Sequence, residues 1–511
     1  MPPYISLPEG SVRLLRLLPN SDQNSPIECR LITFPALDSG STHPYESLSY
    51  VWGSDDSKRP IYVDRNELYV TANLHVALSH LRHCLLERML WVDAICINQS
   101  DNVEKGQQVQ LMAKIYSKAS RVIVWLGEAA DGSDQALEAI RAAADEQPAN
   151  FPVDKTNWGA ILTLLDRGWF ERIWVLQEVA AARHVLIKCG PAEIDGYAFC
   201  SGLSALNPSY ETHPHLLGLI PPIVYLIRGA AFRPRYKGEE TSRQDRFSLG
   251  IRPLGQLVDM YHTHKATVPL DKVYALLGMS NDDDDDDPHA AGLKVNYDAT
   301  WGELFRKLVQ FCLSDQMSVS TWDDVEAAVI EAKGCVLGKV SSAGEDATQR
   351  NKQNGDATRH DRQHVDIIWK DMPSHFRAKG KQISRFSFQA SAKAVKKGDV
   401  VCLLQGASRP SIVRLCDGFA TIIMIAVPLT ENLRKWSASI TTFPSDLLLV
   451  WDWDESRSKL QGGADYGKFI SSQEVLKCPV AECQCLYDLD KMARLWNLGL
   501  LLNRMERYEE A

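Results

Sequence analysis

The stretch between Leu90 and Gly127 alternates short apolar runs with one long amphipathic segment, and this pattern predicts the central elements of the first domain. Leu90 to Ile97 is rich in β-branched and aromatic residues, interrupted only by the acid Asp93, which predicts a strand buried on both faces. Arg121 to Leu126 is a second run of the same kind. The two runs predict two buried strands of one sheet.

A helix is predicted between these strands. Asp101, with Glu104 three residues later, is typical of a helix N-cap, and Val103 to Ala119 has apolar residues at the spacing of one helical face. A strand, a helix and a strand of these lengths favour two parallel strands joined by a crossover. This part of the chain is therefore predicted to be α/β.

Similar patterns predict further elements on both sides. Strands are expected at Val12–Leu18, Ile27–Phe34, Tyr45–Tyr50, Ile61–Val63, Leu68–Val70 and Val185–Cys189, and helices at Leu74–Leu85, Ser133–Asp145, Trp158–Leu165 and Trp169–Ala182. The resulting domain prediction is an α/β domain with an N-terminal hairpin at 1–196, a mostly helical region at 197–340, a disordered linker poor in apolar residues at 341–364, and a β-rich module with C-terminal helices at 365–511.

The composition of the chain argues against nucleic-acid-binding, secreted and membrane-spanning proteins. The 511 residues are 45% hydrophobic and 24% charged with a net charge of −9, which is ordinary for a globular protein and gives no basic field for nucleic acid. The start, MPPYISLPEG, does not have the pattern of a secretory signal, and the most apolar windows are too short to span a bilayer. We expect a cytoplasmic protein whose twelve scattered cysteines are reduced thiols.

Several common site signatures are missing from the sequence. None of the GxGxxG, GxxxxGK[ST] and GxSxG patterns occurs. Cys478, Cys483 and Cys485 are close in sequence, as are His262 and His264, but neither group has the paired spacing of a zinc site. We predict no metal site and no permanently bound cofactor.

Polar and small residues follow the predicted strands of the first domain. Trp52 and Gly53 follow one strand, Asn98 and Gln99 the next, and Gly127 and Glu128 the third. Ligands of open parallel sheets bind at the carboxyl ends of the strands, so these residues are expected to converge on one cleft. The alternative is that the glycines only form turns and that Asn98 and Asp101 only cap a helix.

Asp93 is expected to need a partner, because a carboxylate within a buried strand is costly unless it is paired or hydrogen-bonded. Arg172 and a backbone amide are the candidate partners. The favoured role for this acid is a structural ion pair.

Four stretches in this order resemble the fungal heterokaryon incompatibility (HET) domain: YESLSYVWG, LWVDAICINQSD, QVQLMAKIYSKASRVIVWLG and RGWFERIWVLQE. The resemblance covers Tyr45 to Gly190, and RLLRLLPNSD, ATVPLDKVYALLG and KKGDVVCLLQG resemble the usual surroundings of that domain. It implies a role in vegetative incompatibility, in which fusion of unlike fungal strains triggers programmed cell death. It also implies self-association or an unknown protein partner.

The order of elements is similar, more remotely, to Toll/interleukin receptor (TIR) domains, which implies a TIR-like, flavodoxin-like parallel sheet. In enzymatic TIR domains a Trp precedes the catalytic Glu by four residues, and Trp174 and Glu178 have that spacing. The resemblance implies NAD as a substrate and Glu178 as the catalytic acid. The residues implied to line the pocket are Trp52, Gly53, Asn98, Gln99 and Trp174.

Two alternatives stay open. Glu178 lies seven residues after Glu171, so both acids can share a solvated helix face. The whole domain can also be a non-enzymatic signalling module that acts by self-association or partner binding.

Overall fold

The structure is a computed structural model that describes residues 4–22, 24–34, 44–145, 155–208, 210, 212–213, 215–230, 247–281, 292–345, 362–376, 383–389, 393–416 and 419–453. These residues form two compact units. The first lies within Met1–Arg252, His264–Asn281 and Lys294–Asp298, and the second within Pro253–Thr263, Asp282–Leu293 and Ala299–Ala511. Both units draw on the middle of the chain, so they divide it differently from the predicted domains.

The first unit contains a sheet of nine described strands in the order β5-β4-β2-β1-β6-β3-β7-β8-β9. Their bounds are β1 Val12–Leu17, β2 Glu28–Phe34, β3 Glu46–Tyr50, β4 Arg59–Val63, β5 Asn66–Val70, β6 Arg88–Trp91, β7 Arg121–Trp125, β8 Val185–Cys189 and β9 Ala192–Asp195. The central strands β6, β3, β7 and β8 are parallel, whereas β1 with β2, β1 with β6, β4 with β5, and β8 with β9 pair antiparallel.

The sheet is therefore mixed. The parallel sheet predicted from the sequence is found at its centre, and β2 and β4 form a further parallel pair. The N-terminal hairpin joins the same sheet through the antiparallel pairing of β1 with β6. Numbered along the chain, the four parallel strands have the order 2-1-3-4, with which the flavodoxin-like arrangement begins. In that arrangement the crevice lies between the carboxyl ends of the first and third strands, which here are β3 and β7.

The first unit also contains helices, of which the first six lie between its strands and the last three follow β9. They are α1 Ala72–Leu81, α2 Asp93–Cys96, α3 Asn102–Lys118, α4 Ser133–Asp145, α5 Lys155–Leu165, α6 Trp174–Ala181, α7 Gly196–Leu206, α8 Leu216–Ala230 and α10 Asp271–Leu277. The N-cap prediction for α3 is confirmed, since the Asp101 carboxylate accepts the amide hydrogens of Val103 and Glu104. No helix among the described residues of the chain is both long and apolar enough to cross a membrane.

Three predicted elements of this unit were wrong in part, and the first is the helix expected over Leu74–Leu85, which ends at Leu81. The strand expected over Leu90 to Ile97 ends at Trp91, and Asp93–Cys96 forms a short helix. This turn forms because the Asp93 carboxylate accepts the Ala94 amide hydrogen and the Val92 carbonyl accepts that of Cys96. The helix expected from Trp169 begins only at Trp174.

The second unit is built on an eight-stranded sheet of described strands. The strands are β10 Ser318–Thr321, β11 Ala327–Glu345, β12 Arg362–Trp369, β13 Ile383–Gln389, β14 Val400–Leu404, β15 Ser411–Cys416, β16 Phe419–Met424 and β17 Ser445–Asp452, and the helices are α9 Leu254–Tyr261, α11 Trp301–Cys312 and α12 Glu431–Ala438. Strand β17 pairs with both β16 and β11, so that β11, β14, β15, β16 and β17 close into a barrel.

The linker predicted at 341–364 is corrected at both ends. Residues 341–345 continue β11 and residues 362–364 begin β12, and these two strands pair antiparallel. The polar side chains that suggested disorder fit strands whose backbone groups are satisfied by each other. Residues 346–361 and the helices predicted around Asp488 to Arg504 lie outside the described residues.

Candidate functional site

The carboxyl ends of β3 and β6 bring Trp52 and Asp93 together. The Trp52 indole N–H donates to the Asp93 carboxylate over 2.7 Å, and the Ala94 amide donates to the same carboxylate over 2.7 Å. Burial raises the pKa of the Asp93 carboxyl. This rise is opposed by the charge of Arg172 and by hydrogen bonding from Trp52, Ala94 and Tyr50. Trp52 is 37% exposed, so one aromatic face at this strand end is open to solvent.

Two arginines from the turn before α6 bind backbone carbonyls at these strand ends. Arg172 donates to the carbonyl of Tyr50, the last residue of β3. Arg167 donates over 2.8 Å to the carbonyl of Leu126 and over 2.9 Å to that of Glu128, just beyond β7. The two guanidinium groups therefore fix the ends of the adjacent strands β3 and β7, where the crevice of this sheet topology is expected.

Glu178 on α6 is buried against β3. Its side chain is only 2% exposed, and the Ser49 hydroxyl donates to its carboxylate. The Trp169 indole N–H donates to Ser49 Oγ over 2.8 Å. The Tyr116 hydroxyl, which donates to the Leu48 carbonyl over 3.0 Å, is a further group that lowers the pKa of the Glu178 carboxyl. The alternative of a solvated surface acid was therefore wrong.

The ionisation of Glu178 is set by this burial. Desolvation raises the pKa of its carboxyl to about 7, and the Asp93 carboxylate adds to the rise. The Arg172 guanidinium and the Ser49 hydroxyl lower the pKa of Glu178, but they do not cancel the effect of burial. A carboxyl with such a pKa exchanges its proton near neutral pH, which suits acid–base chemistry or charge stabilisation.

Gln99 and Asn98 serve the loop after α2. The Gln99 side-chain amide donates to the Asp93 carbonyl over 3.0 Å, which ties the loop to the strand end. Asn98 Oδ1 accepts the Ser100 hydroxyl over 2.7 Å. Gly53 has a φ of +80°, the left-handed conformation that favours glycine, so a turn role accounts for it.

A buried ion pair also binds the loop that follows α2. Both Glu104 oxygens bind the Arg13 guanidinium, at 2.6 and 2.9 Å, and one of them also accepts the Asn98 amide hydrogen over 2.8 Å. Arg13 is 3% exposed. The carboxylate that the sequence suggested as part of a capping box thus binds strand β1 as well.

Trp174 lies on the side of α6 that faces residues from later in the chain. Burial raises the pKa of the Asp271 carboxyl, whereas the Trp174 indole and the Tyr297 hydroxyl lower it. Asp271 Oδ1 accepts the Tyr297 hydroxyl over 2.8 Å. The structure thus gathers Trp52, Asp93, Arg172 and Glu178 through shared interactions, and it gives Trp174 a separate partner.

Sequence reasoning missed several members of the site. Ser49 and Tyr50 fall within the quoted stretch YESLSYVWG, where a serine inside an apolar strand was a usable signal. Tyr116 was counted only as part of an apolar helix face. Asp271 gave no signal of its own, because its partners Trp174 and Tyr297 are distant in sequence.

Metal binding has no support in the residues that the structure describes, since they contain no group of three or more His, Cys, Asp or Glu side chains able to hold an ion. A cleft of about 620 Å³ opens at the opposite, amino ends of the strands. Its Arg88 and Arg121 both pair with Glu46, at 2.6 and 2.5 Å, so its charges are largely satisfied within the protein.

Comparison with known proteins relates the chain to one family. Residues 45–178 match the family model described as Heterokaryon incompatibility protein (HET). The chain is 31% identical over 235 residues to Heterokaryon incompatibility protein 6, OR allele, of Neurospora crassa, an alignment covering 36% of this chain and 34% of that protein. It is 26% identical over 156 residues to Vegetative incompatibility protein HET-E-1 of Podospora anserina, covering 29% and 10%.

The matched region therefore spans only about a third of the first relative and a tenth of the second. No solved structure matches the chain significantly.

Proposed function

We propose that this chain, whose residues 45–178 match the heterokaryon incompatibility (HET) family model, acts in vegetative incompatibility by triggering or regulating programmed cell death. The observation that carries the proposal is the family match, supported by two relatives whose names state heterokaryon or vegetative incompatibility.

We further propose that the HET domain cleaves NAD in the manner of enzymatic TIR domains. The parallel strand order 2-1-3-4 and the position of α6 before β8 support a TIR-like arrangement. Within it, Trp174 and Glu178 keep the spacing of the TIR motif, and Glu178 lies beside the carboxyl half of β3. Trp52 offers an exposed ring on which a base or a nicotinamide can stack.

The reaction would add water to the ribose carbon that bears nicotinamide. Nicotinamide leaves with the electron pair of the broken bond, and ADP-ribose and one proton are the other products. Positive charge develops on the ribose in the transition state, and an ionised Glu178 would stabilise it electrostatically. Because the pKa of Glu178 is raised to about 7, the active carboxylate form increases through neutral pH, and the rate is expected to rise there.

A substrate can reach Glu178 only after the site opens, because the side chain is 2% exposed. Many TIR enzymes become active only on assembly, so we place this opening in a self-associated state of the chain. Residues 1–196 alone are not a suitable sample, since His264–Asn281 and Lys294–Asp298 belong to the same compact unit.

The test is loss of NAD and release of nicotinamide by the full chain, measured from dilute to crowded, self-associating conditions. Glu178→Gln removes the charge and keeps the shape. Glu138→Gln is the matched control, because Glu138 is an exposed acid of the same unit that pairs with Arg141 on its own helix. We expect turnover in the wild type and the control and at least a 100-fold loss in Glu178→Gln. Equal turnover in all three proteins would refute the assigned role.

A non-enzymatic signalling module is the second candidate, and the enclosure of Glu178 favours it. The Ser49 hydroxyl already donates to this carboxyl inside the fold, as in a purely structural network. If an assembled, folded chain leaves NAD intact, this candidate replaces the enzyme.

A further inference from the structure

A chain of two hydrogen bonds links three buried side chains of the first unit. The Trp169 indole N–H donates to Ser49 Oγ over 2.8 Å, and the Ser49 hydroxyl donates to the Glu178 carboxylate. All three side chains are buried, so bulk water does not compete for these bonds. The chain of bonds thus connects the turn before α6, the strand β3 and the helix α6 itself.

The direction of this chain of bonds follows from the chemistry of the indole group. An indole N–H can only donate, so Trp169 occupies one lone pair of Ser49 Oγ. Among the described residues, Glu178 is the only group that accepts the Ser49 hydroxyl hydrogen. If a protonated Glu178 donated to Ser49 instead, the serine proton would be buried without a partner, which costs free energy. The arrangement therefore favours the ionised form of Glu178.

The backbone on both sides of Ser49 is held by side chains. Pairing of β3 with β6 does not reach this residue, whereas pairing of β3 with β7 continues to the end of the strand. The Tyr116 hydroxyl donates to the Leu48 carbonyl over 3.0 Å. Arg172 donates to the Tyr50 carbonyl. Ser49 is therefore fixed in place where β6 no longer covers β3.

Other ionisable groups act on Glu178 from α2, α3, β3 and the turn before α6. Asp93 raises the pKa of the Glu178 carboxyl, and Arg172 lowers it. Tyr116 also lowers it, and Glu178 in turn raises the pKa of Tyr50. Burial raises the pKa of both tyrosines well above 10.0, so they are neutral near pH 7. A substitution of the serine leaves all four groups in place.

We propose that Ser49 is a positioning residue of the candidate site, which orients the Glu178 carboxylate through a hydrogen bond whose direction is set by Trp169. The inference rests on the proposed function for the part that Glu178 plays in NAD cleavage. In that reaction Ser49 keeps the acid in the charged form that stabilises positive charge on the ribose. The first test of the proposal requires no turnover.

This test is a pH titration of the full chain labelled with ¹³C at the glutamate δ-carboxyl. The Glu178 signal is the one that disappears in Glu178→Gln. Ser49→Ala removes the donor to the ionised carboxylate, so the titration midpoint of Glu178 should rise by roughly one pH unit. Ser49→Thr keeps a hydroxyl at this position and should return the midpoint towards that of the wild type.

Ser47→Ala is the matched control. Ser47 is a buried serine two residues earlier in β3, so it lies on the same face of the strand. Its hydroxyl has no hydrogen-bond partner in the part of the chain that the structure describes. Ser47→Ala thus removes the same atom from the same strand, and it should leave the Glu178 midpoint unchanged.

Trp169→Phe tests the first bond of the chain, and it also serves if Ser49→Ala does not fold. Without the indole N–H the Ser49 hydroxyl becomes a weaker donor, because linked hydrogen bonds polarise one another. The Glu178 midpoint should rise by less than in Ser49→Ala. Water that entered the space left by the smaller ring would lower the midpoint instead, since it relieves desolvation, so a rise identifies the loss of the bond.

The pH dependence of NAD cleavage gives the second readout. The pKa of Glu178 is about 7 in the wild type. A rise of roughly one unit in Ser49→Ala lowers the ionised fraction at pH 7 about fivefold, and the rate should fall by the same factor and recover above about pH 9. A rate that stays low at high pH would contradict a role through the ionisation of Glu178.

The two readouts fail separately. A Glu178 midpoint in Ser49→Ala within about 0.3 pH unit of the wild type, or an equal shift in Ser47→Ala, would overturn the proposal even if the wild type cleaves NAD. A midpoint that is unchanged or lowered in Trp169→Phe would overturn the direction assigned to the bonds. Absence of NAD cleavage by the wild type would refute the proposed activity and leave the titration readable.

Discussion

The raised pKa of Glu178 predicts how the stability of the α/β unit depends on pH. In the folded chain the carboxyl titrates near 7 instead of its ordinary 4.5. Below pH 4.5 the group is protonated in both the folded and the unfolded state and contributes no difference. Between these values unfolding releases a proton, so the free energy of unfolding falls as pH rises. Above about pH 7 the group is ionised in both states, and the loss is complete.

The magnitude follows from the size of the shift, since one pKa unit corresponds to about 1.4 kcal/mol. The rise from 4.5 to about 7 therefore predicts a loss of about 3 kcal/mol in the wild type. Glu178→Gln cannot titrate and does not suffer this loss. Relative to the wild type, the variant should gain about 3 kcal/mol in unfolding free energy between pH 4.5 and pH 8.

Urea titration with pulsed hydrogen exchange of the peptide that contains α6 measures this unit by itself, which matters because a chain with two units need not unfold in one step. The other raised carboxyls are present in both proteins and largely cancel in the comparison. If the unfolding free energies of wild type and Glu178→Gln change with pH in parallel, within about 0.5 kcal/mol, the reasoning is refuted. Glu138→Gln should follow the wild type.

Two further substitutions test the packing around the site. Glu104→Gln leaves the buried Arg13 charge uncompensated and should lower the free energy of unfolding by about 3 to 5 kcal/mol in the same urea assay. Glu138→Gln should lower it by less than about 1 kcal/mol. Similar losses in the two variants would contradict the importance of the buried pair. Gly278→Ala places a methyl group against Gln177, so it should lower the free energy of unfolding by about 1 to 3 kcal/mol and speed hydrogen exchange in residues 264–281. Exchange at the wild-type rate in these residues would contradict the close packing of α10 on α6.

The sequence predicted much of the α/β unit because its strands and helices carry clear apolar periodicity. The bounds of α4 and β8 coincide with the prediction, and the N-terminal hairpin forms as expected. The prediction from the sequence failed where a short apolar run is compatible with two structures. Ala94, Ile95 and Cys96 suit a buried strand or a buried helical turn equally well, and the hydrogen bond from Ala94 to the Asp93 carboxylate favours the turn.

The site could be predicted only in part. Residues that follow strands, such as Trp52, can be placed at a sheet edge from the order of elements alone. The burial of Glu178 depends on the packing of α6 against β3, which no local pattern specifies. Asp271 acts on the surroundings of Trp174 from a distant part of the chain, and a single sequence carries no signal for such a pair.

The measurement that tests the central claim most directly is the viability and NAD content of fungal cells expressing the full chain, its Glu178→Gln variant or its Glu138→Gln variant at equal protein levels. If the HET domain acts through Glu178, the wild type and Glu138→Gln should deplete NAD and kill the cells, and Glu178→Gln should do neither. Killing by Glu178→Gln at the wild-type rate would contradict the account.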